Sequence, residues 1–220
     1  KFRHPSGPEV EGVKIDPDGK DESVDYSKTS PEKLSNDEIV DKIQKAGIVG
    51  MGGAAFPTHV KLSPPEDKNI DTLVVNGAEC EPYLTADFRL MLEETEKIIK
   101  GTKLIADLLQ VDEIYFGIED NKPEASEEIR SQTDGSIEVV ELPTKYPQGW
   151  EKTLIHALTG RKVPVDGLPL DIGVVVQNVA TIKAIWDGVK FGIPLTERVV
   201  TATGQFENPG NYRVRIGSKW

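Results

Sequence analysis

The chain of 220 residues carries 26 basic and 37 acidic side chains, a net charge of −11, which excludes a nucleic-acid phosphate backbone as a natural partner. With 37 % hydrophobic residues and 20 glycines it can build a globular core, and no apolar run nears the ~20 residues that span a bilayer. The single Cys80 excludes an internal disulfide, fits a reducing compartment, and cannot by itself hold an iron–sulfur cluster, which needs several thiolates.

About thirty residues at the start are polar and broken by Pro8, Pro17, Gly19 and Pro31, and they read as a mobile or edge segment with Val13 to Ile15 its one strand-like run. The opening Lys-Phe-Arg-His has neither an initiator Met nor a charged-then-apolar leader, so the chain reads as a piece, itself soluble, excised from a longer polypeptide. At Ser35 a capping box with Glu38 predicts a helix whose apolar face is Ile39, Ile43 and Ala46 and whose stop is Gly47. The glycine-rich run Gly50-Met51-Gly52-Gly53-Ala54-Ala55-Phe56-Pro57-Thr58-His59-Val60-Lys61 follows, then a strand over Thr72 to Asn76. Strands over Glu113 to Ile118 and Ile137 to Leu142 alternate with a helix from about Glu93, faced by Leu104, Ile105, Leu108 and Leu109, and another opened by Asn121 and Pro123. A helix over Trp150 to Thr159, a strand over Ile172 to Val176, a helix over Val179 to Lys190 and a strand over Arg198 to Thr203 complete the pattern, with no internal repeat. The fold class this predicts is α/β: a Rossmann-like layered parallel sheet with flanking helices, plus the start of a small β-grasp-like unit around Pro209-Gly210.

Four loops carry the polar residues. Gly50-Met51-Gly52-Gly53 lacks the strand before and the third glycine after that a dinucleotide fingerprint needs, and it lacks the Gly-Lys-Ser/Thr end of a phosphate-loop ATPase. It can still adopt positive φ and present bare amides to a flat or anionic ligand, although glycine content alone equally suits a plain connector. Asn76-Gly77-Ala78-Glu79-Cys80-Glu81-Pro82 lies just past the first strand of the sheet, where ligands sit in open α/β sheets; a solvated acidic turn is the alternative. Tyr146-Pro147-Gln148-Gly149-Trp150-Glu151 opens a helix, as does Gln177-Asn178 with Thr181. If the sheet is parallel, these loops converge. His4, His59 and His156 are isolated, so no metal site is expected, and the glutamates flanking Cys80 argue against an activated thiolate.

These motifs, with Tyr83-Leu84-Thr85-Ala86-Asp87 and Leu158-Thr159-Gly160-Arg161, resemble the C-subunit family of the Rnf ion-translocating electron transport complex from about His4 to the end. At a lower level the chain is similar to the flavin- and NADH-binding subunit of respiratory complex I. The resemblance implies an oxidoreductase subunit that passes electrons between NAD(H) and iron–sulfur centres through FMN, on the cytoplasmic side of a membrane complex whose other subunits are its partners. It also implies 4Fe-4S clusters in the full-length subunit but outside this piece. Residues 1–30 would end a truncated N-terminal domain, 31–197 form the FMN/NAD-binding core, and 198–220 open a β-grasp segment.

Carried over by position, Gly50, Gly52 and Gly53 would line the flavin phosphate and ribityl chain, with Lys61 near the ring or phosphate. Asn76 and Glu79 would face the flavin, Glu81 and Phe56 the nicotinamide dinucleotide, and Tyr146, Gly149, Glu151, Asn178 and Thr181 the remaining wall. No general acid, base or nucleophile is required, because the cofactor carries the chemistry. Two residues depart from the family pattern. Ala55 replaces a glycine and is tolerable at negative φ; Trp150 replaces another, and an inward indole would fill the site whereas an outward one would not. A cofactor-free docking module of the same fold and a cobalamin-reductase relative are the competing readings.

Overall fold

The computed structural model describes residues 1–3, 9–12, 16, 18–20 and 22–218. His4, Pro8, Val13 to Ile15 and Pro17 lie outside them. A short antiparallel pair, β1 (Phe2–Arg3) and β2 (Glu9–Val10), precedes the core. Helix α1 (Asn36–Lys45) begins at the predicted capping box: the Glu38 amide donates to Ser35 Oγ at 3.3 Å and the Ser35 amide to Glu38 Oε2 at 2.8 Å. Gly47, at φ +66°, follows its end.

The central sheet is parallel and four-stranded, in the order β5 (Glu138–Leu142), β4 (Glu113–Glu119), β3 (Thr72–Gly77), β6 (Val174–Asn178). Register pairs Val75 with Phe116 on one side and with Gln177 on the other. Alternation along β3 sends Leu73 and Val75 into the larger core and Val74 into the smaller. Packed into the larger core are α1, α3 (Ala86–Glu93), α4 (Thr95–Leu109), α5 (Pro123–Gln132) and α7 (Val179–Phe191); on the opposite face α6 (Glu151–Thr159) contributes Leu154 and Ile155. From β3 to β5 the chain adds strands in one direction, then crosses to place β6 on the other side of β3. The order thus reverses between β3 and β6, where crevices open in sheets of this kind. The one-turn α2 (Thr58–Lys61) follows the glycine-rich loop, and an antiparallel hairpin of β7 (Glu197–Ala202) and β8 (Gly210–Arg215) packs against α3.

Two predicted elements differ. The helix expected from about Glu93 is present as α4 from Thr95, but a further helix, α3, not expected from sequence, precedes it and is separated from it at Glu94, where the Thr95 hydroxyl donates back to the Met91 carbonyl at 2.5 Å. The strand expected from Ile172 starts at Val174 instead, because Pro169–Ile172 forms a 3-10 turn closed by Gly173 at φ +76°.

Candidate functional site

Two neighbouring clefts of about 680 and 510 Å³ open at the carboxyl ends of β3 and β6 and share Met51, Gly52, Gly53, Asn76, Gly149, Trp150 and Asn178 in their walls. Both volumes fall in the range of small-molecule sites, ~300–1,000 Å³. The larger is lined by the glycine-rich loop, Phe56, Lys61, Glu151, Lys152, Gln177 and Thr181; the smaller adds Glu79, Glu81, Asp87, Arg198 and Thr201. Of the residues expected at the site from sequence, all but Tyr146 line one cleft or both. Tyr146 lines neither and is itself exposed, edge-on to Trp150 with ring centroids 6.0 Å apart.

The glycine-rich loop is shaped by its neighbours. The Gly50 amide donates to the Phe56 carbonyl at 2.9 Å, closing the loop on itself, and the Met51 amide donates to Thr181 Oγ1 at 2.9 Å, tying it to α7. Although its glycines could adopt positive φ, Gly50, Gly52 and Gly53 avoid the left-handed region, and the residue that enters it is Ala55 at φ +55°. The condition under which the Ala55 methyl is tolerable is therefore not met, and holding alanine there costs ~1–2 kcal/mol. Close approach favours glycine at position 52: a Cβ there would lie 3.2 Å from Asn178 Cβ, a tight contact that Asn178 would have to relieve, whereas at Gly53 it would meet nothing within 4 Å.

Asn76 turns its side chain to the protein's own backbone. Its Nδ2 donates to the Gly149 carbonyl at 2.9 Å and its Oδ1 accepts from the Ala78 amide at 3.1 Å, stitching the loop after β3 to the loop before α6. One N–H and one lone pair remain for a ligand. Lys61 pairs with Glu151 at 2.5 Å across the mouth of the larger cleft, leaving two ammonium protons. Asn178 caps α7 by accepting from the Ala180 amide at 2.9 Å while its Nδ2 donates to Asp87 at 2.6 Å. Gln177 is buried, and its Nε2 finds no partner among the described residues although the residue lines the larger cleft. Phe56 is 55 % exposed and Trp150 59 % exposed, so the indole stands at the rim and does not fill the cavity.

Carboxylates dominate the smaller cleft. Glu79 accepts from the Asp87 and Phe88 amides at 3.0 and 3.3 Å, satisfying donors at the start of α3. Burial, and then the charge of Asp87, push its pKa from 4.5 up to about 7. Burial also raises Asp87, against the pull of Asn178, Arg198 and Lys122. Because the folded pKa of Glu79 lies above its unfolded value, the protonated native state is favoured at low pH and that advantage is lost as pH rises from about 4.5 to about 7. The Glu79→Gln variant should therefore gain stability relative to the parent across this window, with little difference at its acid end. Urea midpoints at several pH values check this, and a parent–variant gap independent of pH would refute it.

Asp87, Arg198 and the unpartnered Gln177 amide are not among the site residues expected from sequence. Asp87 and Gln177 lie inside recognised motifs, but Arg198 is remote in sequence and only hairpin packing brings it to the cleft. Among the described residues no cluster of three or more His, Cys, Asp or Glu side chains is placed to hold a metal ion, and no helix is long and apolar enough to cross a membrane.

Comparison with known proteins identifies the family. Residues 43–187 match the family model described as the Nuo51 FMN-binding domain. The C subunit of the proton-translocating ferredoxin:NAD(+) oxidoreductase complex of Clostridium ljungdahlii is 52 % identical over 99 % of this chain and 48 % of its own length. The corresponding C subunit of the Na(+)-translocating complex of Acetobacterium woodii is 48 % identical over 97 % and 49 %, and that of the ion-translocating oxidoreductase complex of Klebsiella pneumoniae 46 % identical over 98 % and 29 %. The chain thus spans about half the length, or less, of these curated relatives. An NAD+-reducing NiFe-hydrogenase, 24 % identical, superposes with a TM-score of 0.69 over 84 % of this chain and 37 % of that one, which speaks for the shared fold. On these matches the chain belongs to the Nuo51 FMN-binding domain family, alongside the C subunits of the Rnf-type ion-translocating oxidoreductase complexes.

Proposed function

We propose that this chain is the FMN- and NAD(H)-binding part of an electron-transferring subunit in an ion-translocating ferredoxin:NAD oxidoreductase complex, held by other subunits on the cytoplasmic side of a membrane. The observation that carries the reading is the pair of adjoining clefts at the β3–β6 reversal, framed by the glycine-rich loop, Lys61 and the loops after β3 and before α6. The groups present fit a flavin mononucleotide. Lys61 retains ammonium protons for a phosphate, and Gly52 and Gly53 offer backbone without side chains. When bound, a flavin accepts a hydride and releases electrons singly; the protein supplies orientation and field.

In this reading Gly50, Gly52, Gly53 and Lys61 hold the phosphate and ribityl chain, and Glu151 fixes the Lys61 ammonium. Thr181 and Asn178 act through their hold on Met51 and Asp87, and Gly149 with Asn76 forms the ridge between the clefts. Glu79 lies beside the flavin, while Phe56 and Glu81 serve the dinucleotide by stacking and by accepting from ribose hydroxyls. Residues 1–30 and 198–220 are the flanks of neighbouring domains around a 31–197 core, and iron–sulfur clusters that receive the electrons belong to segments beyond this chain. The rim position of Trp150 leaves the cavity open, which favours a cofactor site over a cofactor-free docking module.

The test is anaerobic bleaching of chain-bound flavin by NADH. The Glu81→Ala variant should need at least ~5-fold more NADH for half-maximal bleaching with flavin affinity nearly unchanged. Equal loss of both affinities would make Glu81 a loop-holding residue, and no bleaching of the bound flavin in the parent would remove NAD(H) from the reading.

A further inference from the structure

The glycine-rich loop is held from two sides. From α7, Thr181 accepts the Met51 amide at 2.9 Å; from the hairpin, Arg198 Nη2 donates to the Met51 carbonyl. In a trans peptide the carbonyl of one residue and the amide of the next point in opposite directions. Fixing the Met51 carbonyl toward Arg198 therefore turns the Gly52 N–H away from the guanidinium. The hairpin that carries Arg198 is itself anchored: the Thr85 amide donates to Thr201 Oγ1 at 3.1 Å, Asn211 Nδ2 donates to Thr85 Oγ1 at 2.9 Å, and Arg213 pairs with Glu94 at 3.3 Å. Arg198 is the one basic residue among those lining the smaller cleft, where it faces Asp87 together with Asn178 and Lys122 and opposes the effect of burial on that carboxylate.

We propose that Arg198 is a positioning residue for the cofactor cleft, whose guanidinium sets the orientation of the Met51–Gly52 peptide and makes the β7–β8 hairpin part of the site. The effect on flavin rests on the proposed function; the effect on the loop does not. A strand residue presented from an anchored hairpin is pre-organised, so the loop amides need little reordering when a ligand arrives.

The test is residue-resolved amide hydrogen exchange on the whole chain, beside FMN titration, for the parent, Arg198→Met and Arg198→Lys. The Met variant keeps an apolar stem without the charge or donor; the Lys variant keeps both. In Arg198→Met the Met51 amide should exchange at least ~10-fold faster with Val74 and Val75 of β3 unaffected, and FMN should bind at least ~5-fold more weakly. Arg198→Lys should restore both to within about 2-fold of the parent. Unaltered exchange at Met51 in the Met variant overturns the proposal. So does acceleration shared by β3, which marks general loosening, and so do Met and Lys variants that are equally impaired, which would assign the effect to packing. A parent chain with no affinity for FMN defeats the functional reading, and the exchange rates still decide the role of Arg198.

Discussion

Replacing Gly149 by alanine should destabilise the protein by ~3 kcal/mol or more and abolish flavin binding with it. An added Cβ would lie 2.2 Å from the Ala78 carbonyl oxygen and 3.3 Å from Cys80 Sγ. Inserting carbon into well-packed cores costs ~1–3 kcal/mol when side chains can give way, and here the obstacle is backbone. The Ala78 amide is held by Asn76 Oδ1, and the Gly149 carbonyl accepts from Asn76 Nδ2, so the two loops cannot separate without breaking the ridge between the clefts. Urea denaturation measures the cost. A folded Gly149→Ala protein within about 1 kcal/mol of the parent would mean that the loops do not approach this closely.

The second large effect is expected at Lys122. Its ammonium is buried and donates to Glu119 Oε2 at 3.1 Å, Asn121 Oδ1 at 3.1 Å and the Glu79 carbonyl at 3.4 Å. Glu119 is 1 % exposed, and its other oxygen already lacks a partner among the described residues. Lys122→Met should therefore cost ~3–5 kcal/mol, because it leaves a carboxylate in the interior with no counter-charge. Adding Glu119→Gln should recover more than half of that loss, since neutral groups of similar volume often replace a buried pair at little cost. Lys122 also pulls down the pKa values of Glu79 and Asp87, so the single variant should hold its protons in the smaller cleft to higher pH. A double variant no more stable than Lys122→Met would show that the lysine acts by packing and not by charge.

Much of the scaffold is legible in the sequence because the signals are local. Ser35 and Glu38 sit at capping-box spacing, Gly47 marks the stop, and the strand periods of Thr72 to Asn76 and Glu113 to Ile118 need no distant partner to be read. The convergence of the four polar loops follows from a parallel sheet. What escapes depends on contacts remote in sequence or on a single torsion. Helix α3 follows the Asn76-to-Asp87 motif with no side-chain cap to announce its start, and left-handed backbone falls on Ala55 in a run where every glycine is a better candidate. Asn76 has the chemistry of a ligand-binding amide, yet the structure spends most of it on Gly149 and Ala78. Nothing near Arg198 in the chain announces that it reaches Met51, a residue 147 positions away. Trp150 shows the opposite case: the substitution is visible at once, but only the fold shows its ring resting at the rim beside Tyr146.

The most direct measurement is titration of FMN into the chain, followed by flavin fluorescence, with Gly52→Val as the comparison. The account predicts saturable binding of one FMN per chain. It predicts affinity at least tenfold lower, a loss of ~1.4 kcal/mol, in the variant, whose branched side chain would crowd Asn178 and enter the cleft that both share. Absence of saturable binding, or the same affinity in a folded Gly52→Val protein, would contradict the assignment of this cleft to flavin.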